Sequence, residues 1–224
     1  MKTIDIHHLG RVDYAPAYAA MQAFNDARGA HTADQIWCLE HPPVYTLGLA
    51  GRRAHLHATG AIPVLQVDRG GQVTYHGPGQ LVVYALLDLK RLGLGVRDYV
   101  HLLEQAVIAT LAGLGLDAVR RDKAPGVYVD GRKIAALGVR VRGGCCYHGL
   151  ALNVDMDLAP FRGIDPCGYP ALEVTQLSDY GVQLDTRAAA ARLLPELITR
   201  LGFDRGREAA GTPPQLAAAL RSVA

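Results

Sequence analysis

The chain has no long apolar run, almost no charge imbalance and few cysteines. Each shortage excludes something. No segment approaches the roughly 20 apolar residues that a bilayer span requires; the longest apolar runs, such as 81–87, are of strand length. The stretch from Met1 to Tyr14 lacks the apolar core of a secretory signal. Lys and Arg outnumber Asp and Glu by only 23 to 21, too small an excess for a nucleic-acid footprint. Local basic patches remain at Arg52 with Arg53, Arg120 to Lys123, and Arg140 with Arg142. The four cysteines, Cys38, Cys145, Cys146 and Cys167, form no Cys-x-x-Cys pair. Neither they nor the nine histidines show metal-ligand spacing. The expectation is a cytoplasmic protein with reduced thiols, no metal, no cofactor, no nucleic acid and no membrane.

Half of the 224 residues are apolar, enough for a sizeable core. The length suits one large domain over 1–224, with the helices from about Thr186 as a candidate appended subdomain. Strands are predicted at Thr3–Leu9, Ile36–Leu39, Val44–Leu47, Pro63–Val67 and Leu81–Leu87. Helical spacing runs through Tyr14–Arg28, Tyr99–Leu114, Thr186–Leu201 and Pro213–Arg221. Asp130-Gly131 between two β-rich runs marks a hairpin, and Gly143-Gly144 turns the chain into a third strand around Tyr147–Val154. Ala159–Pro170 reads as a loop. Hairpins and helices do not alternate as βαβ units, so the class is α+β.

Residues 69–80 read Arg-Gly-Gly-Gln-Val-Thr-Tyr-His-Gly-Pro-Gly-Gln. Glycine packs nothing and loses the most backbone entropy on folding, so a fold keeps it where the chain turns sharply or a ligand comes close. This stretch reads as a loop, and an ordinary turn has no need of Arg69, Tyr75 and His76 among its glycines.

Alternation along an extended strand puts Lys133 with Ala135, Leu137, Val139 and Val141, and Arg140 with Arg142 on the other face. An ammonium in apolar surroundings loses hydration, which lowers its pKa from about 10.4 and suits it to acid–base work. A lysine beside the turn that bends its head into water is the alternative, and it stays open here. Cys167 sits between Pro166 and Gly168. That position favours an accessible nucleophile over a packed thiol, and Gly168 leaves room for a substrate and an unhindered N–H. Cys38 reads as core, while Cys145 and Cys146 point to opposite faces. His76 and His148 each abut a glycine.

Four segments, in order, resemble the lipoyl (octanoyl) transferase family. They are Arg69-Gly-Gly-Gln-Val-Thr-Tyr-His-Gly-Pro-Gly-Gln80, Gly131-Arg-Lys-Ile-Ala-Ala-Leu-Gly138, His148-Gly-Leu-Ala-Leu-Asn153 and Pro166-Cys-Gly168. The match runs through about residues 1–180; Tyr128, where members often have Trp, and the Cys145-Cys146 pair are its departures. The resemblance implies a biotin/lipoate protein ligase-like fold, a mixed, largely antiparallel sheet flanked by helices. It implies transfer of an octanoyl group from octanoyl-acyl carrier protein to a lysine of a lipoyl domain. The acceptors it implies are 2-oxoacid dehydrogenase acyltransferase subunits and the glycine cleavage H protein. At the matching positions, Cys167 is expected to carry an acyl thioester and Lys133 to assist it. Arg69, Gly70, Gly71, Gln72, Val73, Thr74, Tyr75 and His76, with Ala136, Leu137, Gly138, Gly149, Leu150 and Ala151, are expected to line the acyl site.

A thioester donor arrives activated, so no ATP is required. The apolar residues near Val73, Leu137 and Leu150 are expected to hold the eight-carbon chain. A buried CH₂ is worth about 0.8 kcal/mol, so two carbons change affinity roughly tenfold. Arg52, Arg53 and Arg142 are candidates for a rim that steers acidic partner domains. Two rival readings are an ATP-dependent lipoate or biotin protein ligase, which needs no cysteine nucleophile, and a non-catalytic module that binds carrier or lipoyl domains.

Overall fold

The computed structural model describes residues 1–122, 124–166 and 172–222. Lys123 of the basic patch and Cys167 with Gly168 lie outside the described residues. The chain begins with β1 (Thr3–Arg11), α1 (Tyr14–Asp26), β2 (Gln35–Glu40), β3 (Val44–Leu47), β4 (Val64–Gln66) and β5 (Val73–His76). It continues with β6 (Gln80–Asp88), the short α2 (Leu89–Leu92), α3 (Val96–Ala112), β7 (Ala118–Val119), β8 (Val127–Val129) and β9 (Arg132–Arg142). After β10 (Cys145–Asn153) come α4 (Thr186–Arg200), β11 (Arg205–Glu208) and α5 (Pro214–Arg221).

Eight strands form one mixed sheet in the order β11-β1-β2-β6-β10-β9-β8-β7. β11, β1 and β2 run parallel, and from β2 to β7 neighbours are antiparallel. β6 is central and apolar without alternation, the signature of a strand covered on both faces. On one face α3 and α4 set Leu103, Val107, Leu193 and Leu197 against Val83, Ala85, Leu150 and Leu152. On the other, α1 and α5 set Ala17, Met21, Phe24 and Leu216 against Trp37, Val82, Tyr84 and Leu86. The C-terminal helices therefore join the same two cores as the rest of the chain.

Both predicted turns have the backbone that their sequences imply. Asp130 and Gly131 have φ of 48° and 79°, and Gly143 and Gly144 have 62° and 88°. Two consecutive positive φ values match the right-handed twist of the flanking strands. The glycine-rich stretch is less of a loop than expected, because β5 lies inside it and pairs with β3. β4, β3 and β5 make a second, three-stranded sheet. Val73 and Tyr75 turn into its small core beside Tyr45, Leu47 and Phe161. Alternation turns Thr74 and His76 toward the large sheet. β11 reads Arg-Gly-Arg-Glu and gives no apolar signal; main-chain pairing with β1 holds it at the edge. No helix among the described residues is long and apolar enough to cross a membrane.

Candidate active site

Arg69 braces the glycine-rich segment from within. Its guanidinium is buried and donates to the Thr46 carbonyl at 2.7 Å, to Thr46 Oγ1 at 2.8 Å, and to the carbonyls of Gln72 and Gly70, each at 2.9 Å. A single side chain thus ties β3 to the loop. Gly138 makes room for it, since a Cβ there would lie 3.0 Å from Arg69 Cδ. The Gly70 N–H donates to the Val139 carbonyl at 2.9 Å and fixes the loop on β9. At the far end Gly79 has φ +81°, and a Cβ on it would run into the Asp155 carbonyl. This half of the motif builds the turn into β6.

A bulge decides where Lys133 points. In the β8–β9 pairing Val127 faces Ala135 but Tyr128 faces Lys133, so Ile134 is the extra residue. Ile134 and Ala135 both enter the core under α3, as do Val127 and Val129. Tyr128 does not, and Lys133 Nζ lies 5.2 Å from the centre of its ring. The expected phase is therefore wrong at this residue. Lys133 shares the face of Ala136 and Gly138, opposite the one that simple alternation assigns. It is buried, 3% exposed, which removes the solvated reading. Nζ donates to the Pro125 carbonyl at 3.0 Å.

The described chain on either side of residues 167–171 is anchored. Before them, the Asp165 N–H donates to the His55 carbonyl at 3.0 Å, and the Asp165 carboxylate meets His55 Nδ1 at 3.2 Å and His57 Nε2 at 2.9 Å. After them, the Lys133 N–H donates to Glu173 and the Thr175 N–H donates to Lys133, both at 2.9 Å. The Asn153 amide donates to the Thr175 carbonyl at 2.9 Å. The segment that leaves residues 167–171 is thus bonded to the main chain of Lys133 itself.

A cavity lies between the two sheets, over the face of β9 that Lys133 shares with Ala136 and Gly138. Of the expected acyl-site set, all but Gly70 and Tyr75 line it. Tyr75 turns away, its ring packed on Tyr45 and Phe161. Leu137 and Leu150 also pack against the core under α3, and Val73 packs in the small-sheet core. The floor is made by Ala136, Gly138, Gly149 and Ala151, which alternation leaves on the open face. Tyr14, Val82, Tyr84 and His148 line the cavity too. Only His148 carried a sequence signal, its glycine neighbour; Val82 and Tyr84 sit in an unbroken apolar strand.

Aromatic and imidazole rings close the β6 side. His41 Nδ1 lies 2.6 Å from the Val12 carbonyl and Nε2 lies 2.6 Å from the Tyr84 hydroxyl. A carbonyl only accepts, so Nδ1 carries the proton and Tyr84 donates to Nε2. His76 Nδ1 donates to Gln80 Oε1 at 2.7 Å, and Gln80 in turn donates to Asn153 Oδ1 at 2.9 Å. His148 sits at φ +62°, an uncommon backbone for a residue with a side chain, and its Nε2 lies 3.2 Å from Asp68. Burial would raise the Asp68 pKa, but hydrogen bonds from His148, Tyr147 and Tyr18 outweigh it and hold the carboxyl well below its ordinary range.

Burial lowers all three imidazoles: His41 to about 4, His76 well below 6.5, and His148 below 6.5 despite its bond to Asp68. They are neutral in the folded protein at pH 7. Below 6.5 the unfolded chain takes up protons that the folded one refuses, so stability is complete above that pH and falls as pH drops. His41 alone accounts for about 2 kcal/mol of loss at pH 5 and adds little more below its folded value of about 4. Urea midpoints are expected to fall from pH 7 to pH 5, and the part of the fall that His41→Gln removes is its share. A flat profile would show that these rings titrate normally.

The family described as "Lipoyl protein ligase A/B catalytic domain" matches residues 13–198. An octanoyltransferase of Azoarcus sp. (strain BH72) is 63% identical over 197 residues, 88% of this chain and 87% of that one. A bi-partite lipoate protein ligase of Thermoplasma acidophilum, studied with its E2 lipoyl domain, superposes with a TM-score of 0.76 at 16% identity. That likeness covers 100% of this chain and 92% of the other. The biotin protein ligase of Aquifex aeolicus, solved with biotin and ATP, gives 0.57 at 13% identity over 88% and 70%. These two likenesses concern the fold, and they agree with the biotin/lipoate protein ligase-like architecture expected from the sequence.

Proposed function

The chain belongs to the lipoyl protein ligase A/B catalytic-domain family, and from that premise we propose a two-step transfer in which Cys167 carries the octanoyl group and Lys133 moves the protons. The activity is octanoyl transfer in lipoate biosynthesis. The finer proposal names octanoyl-acyl carrier protein as donor and the lysine of a lipoyl domain as acceptor, on 2-oxoacid dehydrogenase subunits and the glycine cleavage H protein. One observation carries it: a buried lysine on the cavity face has its main chain bonded to the segment that leaves Cys167.

In the first step the Cys167 thiolate attacks the donor's carbonyl carbon. The bond to the carrier sulfur breaks; the carrier leaves as a thiol, protonated from solvent, and the Lys133 ammonium returns a proton to solvent, which leaves the lysine neutral for the second step. A cysteine of pKa about 8.5 is only a few per cent ionised at neutral pH, and a neighbouring cation favours the thiolate. In the second step the acceptor amine attacks the thioester. Its proton passes to neutral Lys133, the amide forms, and the Cys167 sulfur is released. The two groups act as a coupled pair, so the titration belongs to both.

The fold itself also suits a ligase that makes an acyl-adenylate from ATP. Two mixtures separate the readings. Octanoyl-carrier protein with an apo lipoyl domain and no nucleotide is expected to give octanoyl-domain. Octanoate with ATP is expected to give none, and product from that mixture alone would establish the ligase.

A further inference from the structure

We propose that Glu104 positions Lys133, and the proton it carries, through the peptide group that joins Pro125 to Gly126. The catalytic meaning of this link rests on the two-step transfer. Glu104 is the one charged side chain among the buried residues of α3, and it is 7% exposed. A carboxylate in such a place is costly unless it is paired and hydrogen-bonded. Among the described residues its partners are the Gly126 N–H, which donates to Oε1 at 2.9 Å, and the Arg120 guanidinium, 3.8 Å from Oε2.

The same peptide group serves Lys133. Its N–H goes to Glu104, and its carbonyl, that of Pro125, accepts from Lys133 Nζ at 3.0 Å. A planar trans peptide holds N–H and C=O rigidly and nearly antiparallel, so carboxylate and amine sit at the two ends of one dipole. Hydrogen bonds in such a chain strengthen one another. Gly126 lets the lysine stem lie close: its φ is +139°, and a Cβ on it would come within 2.9 Å of Lys133 Cε.

A glutamine would make the same bond to Gly126, so what the carboxylate adds is charge. The two hydrogen bonds and the peptide between them set the charges no more than about 8 Å apart. At an effective dielectric of about 20 this moves the lysine's titration by on the order of one pH unit. The carboxylate favours the ammonium form, which the first step uses beside the thiolate. The other charged groups here act more weakly from exposed positions. Arg120 is bonded also to His101, one turn back on α3, and Arg121 Cζ lies 4.6 Å from the centre of the Tyr128 ring that Lys133 also approaches.

The chain has four lysines, Lys2, Lys90, Lys123 and Lys133. The ¹³Cε signals of lysine-labelled enzyme are therefore few, and Lys133→Met identifies the one in question. In a Cys167→Ala background no neighbouring thiol titrates with it. There the Lys133 midpoint is expected to fall by about one pH unit on Glu104→Gln. In octanoyl-enzyme mixed with apo lipoyl domain, the pH at which release of the octanoyl group reaches half its plateau should fall by the same amount. Glu104→Ala, which also frees the peptide, should lower the plateau rate about tenfold or more as well. Should the alanine variant not fold, the glutamine variant decides alone. A Lys133 signal that titrates alike with glutamate and with glutamine overturns the proposal and leaves Glu104 as a brace for the turn. A shifted signal in a protein whose unmodified form never becomes octanoyl-enzyme overturns the two-step reading and leaves the link between Glu104 and Lys133 standing.

Discussion

Cys167→Ala is expected to abolish the covalent octanoyl adduct and to lower turnover by at least about 10³-fold. Mixed with octanoyl-carrier protein, the wild-type enzyme should gain the mass of one octanoyl group, released by hydroxylamine as a thioester is. The variant should gain nothing. No other thiol is placed to substitute. Cys38 and Cys146 are buried, and burial pushes both up to about 12. Their thiolate fraction at neutral pH is negligible. Cys145 opens β10 beside the Gly143-Gly144 turn, well along the strand from the Ala136 end of the cavity floor. An adduct that persists in Cys167→Ala, or full turnover by that variant, would end the two-step mechanism. Direct transfer from carrier thioester to acceptor amine would then be the simplest account.

Much of this architecture can be read from the residues, and the exceptions have definite causes. The hairpin turns were legible because Asp-Gly and Gly-Gly are among the few pairs that tolerate two positive φ values. The cavity-lining segments were legible through motif resemblance, yet the faces of their side chains were not. Strand alternation assigns Lys133 to the covered face, and only the bulge at Ile134 restores it to the open one. No residue type announces a bulge in Lys-Ile-Ala. The same limit hides that Leu137 and Leu150, which line the cavity, also pack against the core under α3. The cavity floor is made of the small residues between them, and smallness on one face becomes visible only when the register is known. Tyr84 and Tyr14 were missed for a related reason: inside an apolar strand or at a helix start, a tyrosine reads as packing. β11 was missed because Arg-Gly-Arg-Glu carries no apolar signal; main-chain pairing and the Arg207–Asp5 ion pair hold it on β1.

Lys133 offers the second large effect, and two substitutions separate its two duties. Lys133→Met keeps most of the length of the side chain and removes the charge. Thiolate formation then loses its cation and the second step loses its base, so kcat should fall about 10²- to 10⁴-fold. The Pro125 carbonyl also loses its donor, which costs on the order of 1–3 kcal/mol of stability and is read separately from a urea midpoint. Lys133→Arg keeps the charge but cannot release a proton near neutral pH. Acylation should therefore persist in that variant while deacylation stalls, so the octanoyl-enzyme accumulates and is seen by mass after quenching. Raising the pH should rescue the arginine variant, because the acceptor amine, of pKa about 10.4, then arrives partly deprotonated without help. The methionine variant should recover too as its unassisted thiol ionises, with acylation still limiting. If both variants instead lose the two steps in equal proportion and show the same pH profile, Lys133 positions the segment that bears Cys167 and takes no proton. Its main-chain bonds to Glu173 and Thr175 would then be its whole contribution.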